Sequence, residues 1–307
     1  MRIVFFGSDD FAAVCLRELQ QSSQRIVACV TGPDVQKGRG MKFALSPIKE
    51  FALEIDVPCL QPVTLKDTAV VEQLKGFNAD VFVVVAYGRL LPQAVLDIPK
   101  KFCVNVHGSL LPQYRGAAPV NWAVINGDKL TGVTVQKMVL ELDAGDIISQ
   151  QVMPLNDQIT SDVLRAEMAQ VGAGLLVKTL HDIEAGAFNC TPQNKEEVTY
   201  AAKMTKELGL IDWKKPATQI ERLVRGLRPW PGTYTLYKGK VLKILEVEPC
   251  MAQGQPGTIV DMAKDGFVVA CGQDSLRVKK VHLEASKAVS AYDFIQGYKL
   301  KVGDQLV

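Results

Sequence analysis

The chain has 307 residues, 48% of them hydrophobic and 22% charged, with a formal net charge of +2. That length supports one large or two medium domains with a proper core, and the composition is that of a soluble globular protein. No apolar run approaches the roughly 20 residues that a membrane helix needs. Met1-Arg2-Ile3-Val4-Phe5-Phe6-Gly7 lacks the long apolar core and cleavage site of a signal peptide, so it reads as a first strand. The seven cysteines are scattered, odd in number and without a Cys-x-x-Cys pair, which points to a reduced cytoplasmic setting and away from a zinc site.

In chain order, residues 2–6, 25–31, 80–86 and 102–106 are short, nearly continuous apolar runs, as expected of parallel strands covered on both faces. Between them lie helical patterns. Asp9 or Asp10 can cap a helix through Phe11, Val14, Leu16 and Leu19. Ser46-Pro47 starts another with Pro in its first turn, and residues 67–74 make a third. This β-α-β alternation predicts an α/β fold with a doubly wound, mostly parallel, Rossmann-like sheet. Residues 161–183 read as a long helix that closes this domain, placed at 1–188. Residues 189–206 are polar, carry Pro192 and a Lys195-Glu196-Glu197 run, and read as a linker. Residues 216–227 suggest a short amphipathic helix. From residue 233 onward five short runs with Gly turns suggest a small OB-like β-barrel domain over 207–307. The part from Lys203 onward holds 17 Lys/Arg against 11 Asp/Glu, while the remainder is net acidic. That asymmetry suits a polyanionic partner, although a mildly basic solvated face gives the same count.

One stretch carries more chemistry than the rest: Asn105-Val106-His107-Gly108-Ser109-Leu110-Leu111-Pro112-Gln113-Tyr114-Arg115-Gly116. On a strand of period two, Asn105 and His107 share a face. His107 sits just past the predicted strand, where open α/β sheets bind ligands. Leu142-Asp143-Ala144-Gly145-Asp146 follows, with either a polar turn or a carboxylate partner for His107 as its reading. An amide, an imidazole and a carboxylate in one cleft are the equipment for moving an acyl group between two nitrogens. Of the other histidines, His181 lies on the polar side of a helix and His282 has no obvious partner. The Gly7-Ser8-Asp9-Asp10-Phe11 loop is not Gly-x-Gly-x-x-Gly, and its two acids would repel a pyrophosphate, so no dinucleotide is expected there. Residues 32–49 form a long loop with Lys37, Arg39, Lys42 and Lys49, suited to a phosphate backbone or simply to solvent.

The Asn-x-His, Ser-Leu-Leu-Pro, Arg-Gly-Ala-Ala-Pro and Leu-Asp-x-Gly-Asp elements, in this order, resemble the folate-dependent formyltransferases. Within that superfamily, the basic Gly38-Arg39-Gly40 insertion, Val83-Val84-Val85-Ala86-Tyr87-Gly88, Ile211-Asp212-Trp213 and the Pro229-Trp230-Pro231 link resemble the methionyl-tRNA formyltransferase family. Two places depart from its pattern. Gly7-Ser8-Asp9-Asp10-Phe11 stands where Gly-Thr-Pro-Asp-Phe is common, and Val35-Gln36-Lys37 precedes Gly38 where an Arg-Pro pair is frequent.

The resemblance implies formyl transfer from 10-formyltetrahydrofolate, as co-substrate and without a metal, to the α-amine of methionyl-initiator tRNA, in support of translation initiation. It implies Asn105 and His107 as hydrogen-bond donors to the carbonyl oxygen and Asp143 as the partner that orients His107. It also implies Ser109, Leu110, Leu111 and Pro112 with Tyr87 and Leu90 as folate walls, and Arg39 and Lys42 as tRNA contacts. A cytoplasmic monomer is expected. A formyltetrahydrofolate hydrolase would need neither the basic loop nor the basic C-terminal part. A sugar-nucleotide formyltransferase would need a nucleotide pocket, and a non-catalytic RNA-binding protein would not need the Asn/His/Asp set. If the region from Lys203 onward contacts tRNA through its excess charge, affinity falls at least about tenfold between roughly 50 and 200 mM salt. Deleting that region then weakens tRNA binding and spares folate binding; filter binding with undiminished tRNA affinity in the truncated chain would exclude the arrangement.

Overall fold

The continuous apolar runs of the first half become strands of one sheet because both of their faces are covered. The computed structural model describes residues 1–37 and 42–307. In the first compact unit (Met1–Pro119, Leu130–Pro154 and Leu164–Ala202) the strands are β1 (Arg2–Gly7), β2 (Arg25–Val30), β3 (Cys59–Leu60), β4 (Val81–Val85), β5 (Phe102–His107), β6 (Leu130–Lys137) and β7 (Ile147–Pro154). Their order is β7-β6-β5-β4-β1-β2-β3. The pairs from β3 through β5 are parallel, while β5–β6 and β6–β7 are antiparallel. The doubly wound, mostly parallel sheet expected from the sequence is present. The two antiparallel strands that extend it beyond β5 were not anticipated, because residues 147–154 are largely polar or exposed and lack the apolar run that marked the others.

Helices α1 (Asp10–Gln20), α2 (Pro47–Glu54), α3 (Thr68–Gly76), α4 (Gln93–Leu96), α5 (Pro119–Asn126) and α6 (Ser161–Ala185) follow in the chain. Asp9 caps α1 by accepting from the Ala12 amide, Ser46 caps α2 from Lys49, and Asp67 caps α3 from Ala69, each satisfying an otherwise orphan first-turn N–H. The sheet core is fully buried at Ile3, Val4, Phe5, Phe6, Val81, Phe82 and Val83. The Phe6 and Phe82 rings lie 5.2 Å apart, and Tyr87 meets Phe6 edge-on at 5.5 Å. The C-terminal ends of β1, β2, β4 and β5 open on one edge, so the loops after Gly7, Val30, Val85 and His107 are gathered there.

The second unit comprises Val120–Lys129, Leu155–Val163 and Lys203–Val307. Strands β8 (Thr233–Tyr237), β9 (Lys240–Cys250), β10 (Ile259–Ala263), β11 (Gly266–Ala270), β12 (Ser275–Leu283) and β13 (Val289–Ser290) form an antiparallel sheet in the order β8-β9-β12-β11-β10, with β13 on β12. Pairing among the described residues runs from β8 to β10 without a closing ladder. Helices α7 (Ala217–Gly226) and α8 (Ala291–Tyr298) supply Ile220, Val224, Phe294 and Ile295 to a core with Trp213, Leu242, Phe267 and Val278. Trp213 donates its indole N–H to Thr235 Oγ1 at 3.0 Å, so the expected Ile211-Asp212-Trp213 segment is an anchor of this core. Two excursions from earlier in the chain belong to the same unit. Asn121 Nδ2 donates to the Gly226 carbonyl at 2.7 Å, and Ser161 Oγ donates to the same carbonyl at 2.9 Å. Among the described residues no helix is long and apolar enough to cross a membrane.

Truncating Phe82, which is fully buried against Phe6, leaves a void at the centre of the sheet. Phe82→Ala is expected to cost about 3–5 kcal/mol of stability, read as a lowered denaturant midpoint in urea with an unchanged m-value. A loss below ~1 kcal/mol would mean that the sheet face relaxes to fill the space.

Candidate active site

Cross-strand register assembles the site. Asn105 on β5 lies directly opposite Gln136 on β6, and His107 lies opposite Thr134. Directly opposed residues of an antiparallel pair share a face, so these four side chains stand together. His107 is buried at 6% exposure. Its Nε2 lies 2.9 Å from the Tyr114 carbonyl oxygen, which can only accept, so Nε2 carries the proton. Its Nδ1 faces Asp143 Oδ1 at 3.6 Å, a gap too wide for a direct hydrogen bond. Asn105 is half-buried, and its side-chain amide makes no hydrogen bond among the described residues. It is a donor without a protein partner beside His107.

Asp143 holds a left-handed backbone at φ +52°. Its Oδ2 accepts from the Gly116 amide at 2.8 Å, and its Oδ1 accepts from Gln136 Nε2 at 3.1 Å. The turn needs Gly145, because a Cβ there would meet the Lys137 carbonyl oxygen at 1.6 Å. Asp143 and His107, 36 residues apart in the chain, face each other across this turn.

The Ser109–Pro112 loop is fixed by its own neighbours. Thr134 Oγ1 donates to the Ser109 carbonyl at 2.7 Å and accepts from the Leu111 amide at 3.1 Å, while Gln150 Nε2 donates to the Leu111 carbonyl at 2.9 Å. Ser109, Leu111 and Pro112 are buried, and Leu110 is half-buried. The loop thus offers the Leu110 side chain, and its Ser109 and Leu111 carbonyls already have protein partners. Tyr87 is buried, and Leu90 is exposed.

A cleft of about 410 Å³ opens between the loops after β1, β2 and β4, lined by Ser8, Thr31–Pro33, Ala44–Ser46 and Tyr87–Arg89. The Tyr87 hydroxyl is buried there with no hydrogen-bond partner among the described residues, and burial raises its pKa while the nearby Arg89 cation opposes that shift. Asp34 beside this cleft pairs with Lys49 at 2.6 Å and Gln61 at 2.8 Å, and the Lys49 hydrogen bond holds its carboxyl below the usual range. Lys49 is therefore engaged by Asp34. Arg39 lies outside the described residues, and nothing is described of the Lys42 side chain.

Sequence reasoning missed Gln136, Gln150, Tyr114 and Gln193. Within residues 189–206, expected as a linker, residues 191–201 pack beside the site. Tyr200–Ala201 pairs in parallel with Arg115–Gly116, Thr191 bridges to Ile147, and Thr199 Oγ1 accepts from the Tyr114 amide at 2.8 Å. His282, expected without a partner, donates to the Ser286 carbonyl at 3.0 Å.

Residues 1–180 match the family model described as formyl transferase, and residues 203–299 match that of the formyl transferase C-terminal domain. The methionyl-tRNA formyltransferase of Citrifermentans bemidjiense is 44% identical over 306 residues, covering 100% of this chain and 96% of that protein. That of Caldanaerobacter subterraneus is 42% identical, covering 99% of each. The chain belongs to the methionyl-tRNA formyltransferase family. Among solved structures it is similar to an N-formyltransferase of Helicobacter canadensis in complex with folinic acid and dTDP-3-aminofucose. That match has a TM-score of 0.67 at 16% identity and covers 90% of this chain and 98% of that one. It is also similar to HypX of Aquifex aeolicus in complex with tetrahydrofolic acid, with a TM-score of 0.65 at 19% identity; the match covers 99% of this chain and 48% of that protein. At these identities the two likenesses concern the fold.

Cys103 lies two residues before Asn105 on the same strand, so a thioester route has to be weighed. Cys103 on β5 is buried, and desolvation pushes its thiol up to about 12. A thiol so held stays protonated and unreactive near neutral pH. Cys103→Ala is expected to keep kcat within about threefold, and iodoacetamide at pH 8 should label the exposed Cys190 well before Cys103, as read by peptide mass spectrometry. Rapid labelling of Cys103 with parallel loss of activity would reinstate the thiol as a nucleophile.

Proposed function

We propose that this formyltransferase moves the formyl group of 10-formyltetrahydrofolate to the α-amine of methionyl-initiator tRNA by direct attack of the amine, with Asn105, His107 and Asp143 as the catalytic set. The observation that carries the reading is the free Asn105 amide beside the His107–Asp143 pair. A donor kept half-buried and without a protein partner is suited to an oxygen that gains charge as the amine adds, and one such donor is worth about 2.7–4 kcal/mol. His107 Nε2–H is held by the Tyr114 carbonyl, so Nδ1 is the ring atom left for reacting groups. The 3.6 Å between Nδ1 and Asp143 Oδ1 leaves that edge of the ring open to a third group. Asp143 is the base nearest to a proton released there, and the folate nitrogen that leaves takes a proton in return.

The topology supports a division of substrates. Strand β4 lies between β5, which carries Asn105 and His107, and β1. Its loop, Tyr87–Arg89, borders the cleft on the β1 and β2 side. The co-substrate folate is proposed to lie toward β5 against Leu110 and Leu90, and the methionyl end of the tRNA to enter the cleft. The cleft's walls include Gly32–Pro33 and Ala44–Leu45, which border the segment carrying Arg39 and Lys42, the proposed tRNA contacts. Residues 1–188 are proposed as the catalytic domain and 207–307 as the OB-like tRNA-binding domain. The substrate, an aminoacyl-tRNA used in translation, supports a cytoplasmic setting, and a monomer is proposed.

Asn105→Ala is expected to lower kcat by roughly 10²–10³ with a smaller change in KM, because its hydrogen bond strengthens as the oxygen gains charge. His107→Ala should lose most transfer while circular dichroism stays native. A formyl-transfer assay with methionyl-initiator tRNA and 10-formyltetrahydrofolate reads both. A pure KM effect in Asn105→Ala, or near-native kcat in folded His107→Ala, would remove the residue concerned from the catalytic set.

A further inference from the structure

We propose that Gln193 is the positioning residue that fixes Asp143 for catalysis, a reading that rests on the proposed role of Asp143. Gln193 lies between the two regions matched by the family models, which end at residue 180 and resume at 203. Its side chain is nearly as buried as the core, at 9% exposure. A buried primary amide has two N–H donors and one carbonyl, and burial demands that all be used. Here Nε2 donates to the Asp143 carbonyl at 2.8 Å and to the Gly145 carbonyl at 2.7 Å. Oε1 accepts from Arg115 Nε at 3.0 Å.

Two carbonyls, two residues apart, converge on one nitrogen only when the chain between them turns sharply. That turn is the one in which Asp143 is left-handed and Gly145 presses on the Lys137 carbonyl. A left-handed aspartate is a minor cost that persists where neighbours over-determine it, and Gln193 is the group that bonds to both ends of the turn. The carboxylate itself has its own holders, the Gly116 amide and Gln136. Gly116 and Arg115 are in turn paired with Tyr200–Ala201 of the same segment as Gln193. Residues 191–201 thus clamp the Asp143 turn from its backbone side and its carboxylate side together.

Gln193 touches no reacting atom in this scheme. Its loss lets the Asp143 carboxylate drift from His107, and a drift of about 1 Å costs up to roughly 10²-fold in rate. The two informative variants are Gln193→Met, which removes both donors and the acceptor, and Gln193→Glu, which keeps an acceptor for Arg115 and loses the donors to the two carbonyls. Both are made in the full chain, alone and with Asp143→Asn, and kcat, KM for folate and for methionyl-tRNA, and melting temperature are measured.

The expected result is a kcat loss of about 10- to 100-fold in each single variant with folate KM changed less than about threefold. Combined with Asp143→Asn, either variant should add less than about twofold, because a positioning residue has nothing left to position. Near-native kcat in Gln193→Glu overturns the proposal, since Arg115 pairing alone then suffices. Losses that multiply in the double variants overturn it as well, by showing that Gln193 acts apart from Asp143. Should Gln193→Met fail to fold, Gln193→Glu carries the same comparison. Near-native kcat in Asp143→Asn alone would place the failure in the role of Asp143, distinguishable from a failure of the Gln193 clamp.

Discussion

A neutral imidazole has a single N–H, and in this chain that proton is committed to the backbone. His107 Nε2 donates to the Tyr114 carbonyl, seven residues on, so the ring cannot rotate without breaking a buried bond. The ring nitrogen left over is Nδ1, which faces the Asp143 carboxylate. The arrangement depends on Tyr114 having a left-handed backbone at φ +60°, an uncommon conformation for a bulky residue, with a cost on the order of 1–2 kcal/mol. Thr199 Oγ1 accepts the Tyr114 amide and the Thr199 carbonyl accepts the Arg115 amide. The segment that ties down Tyr114 is the same one that holds the Asp143 turn through Gln193. One stretch of polar chain therefore sets both partners of the His–Asp pair.

Much of the frame is legible in the sequence alone. Apolar runs such as Val81–Val85 have no polar alternation because helices cover both faces, and they read as parallel strands for that reason. Asn105 and His107 could be placed on one face from the two-residue period alone. What escaped was whatever depends on register between segments distant in the chain. Gln136 matters because it sits opposite Asn105 on an antiparallel neighbour, and nothing in the local sequence 130–137 announces that pairing. Gln193 lies 50 residues from Asp143 and within a polar, Pro-containing stretch whose composition is that of a solvated connector. A buried glutamine and an exposed one look alike in sequence; only the two carbonyls aimed at it distinguish them.

The division of the chain shows the same limit. Composition shifts mark a change near residue 203, and the basic excess after it is real. Yet Val120–Lys129 and Leu155–Val163 belong to the second compact unit. Their signals are short polar and capping residues: Ser161, whose single hydroxyl proton is shared between the Gly226 and Arg228 carbonyls, and Asn121, which donates to Gly226. These bonds satisfy the carbonyls at the C-terminal end of α7, which would otherwise lack partners. Pairing of that kind links positions about 65 to 105 residues apart, and a reading based on local composition has no access to it.

Proton traffic at the site follows from these holders. Asp143 Oδ2 takes the Gly116 amide and Oδ1 takes Gln136, which leaves the carboxylate edge toward Nδ1 as its open side. With Nε2–H fixed on Tyr114, Nδ1 can donate to a developing oxyanion only in the doubly protonated ring, and then the carboxylate 3.6 Å away is the countercharge it faces. With the ring neutral, Nδ1 is an acceptor, and Asn105 is the donor left for the oxygen. On the proposed reading, the Asn105 amide serves the oxygen that gains charge, and the Asp143 carboxylate beside Nδ1 is the base for the proton released by the amine. The Tyr114 carbonyl anchors the ring at Nε2, so that in this reading neither role requires the ring to move.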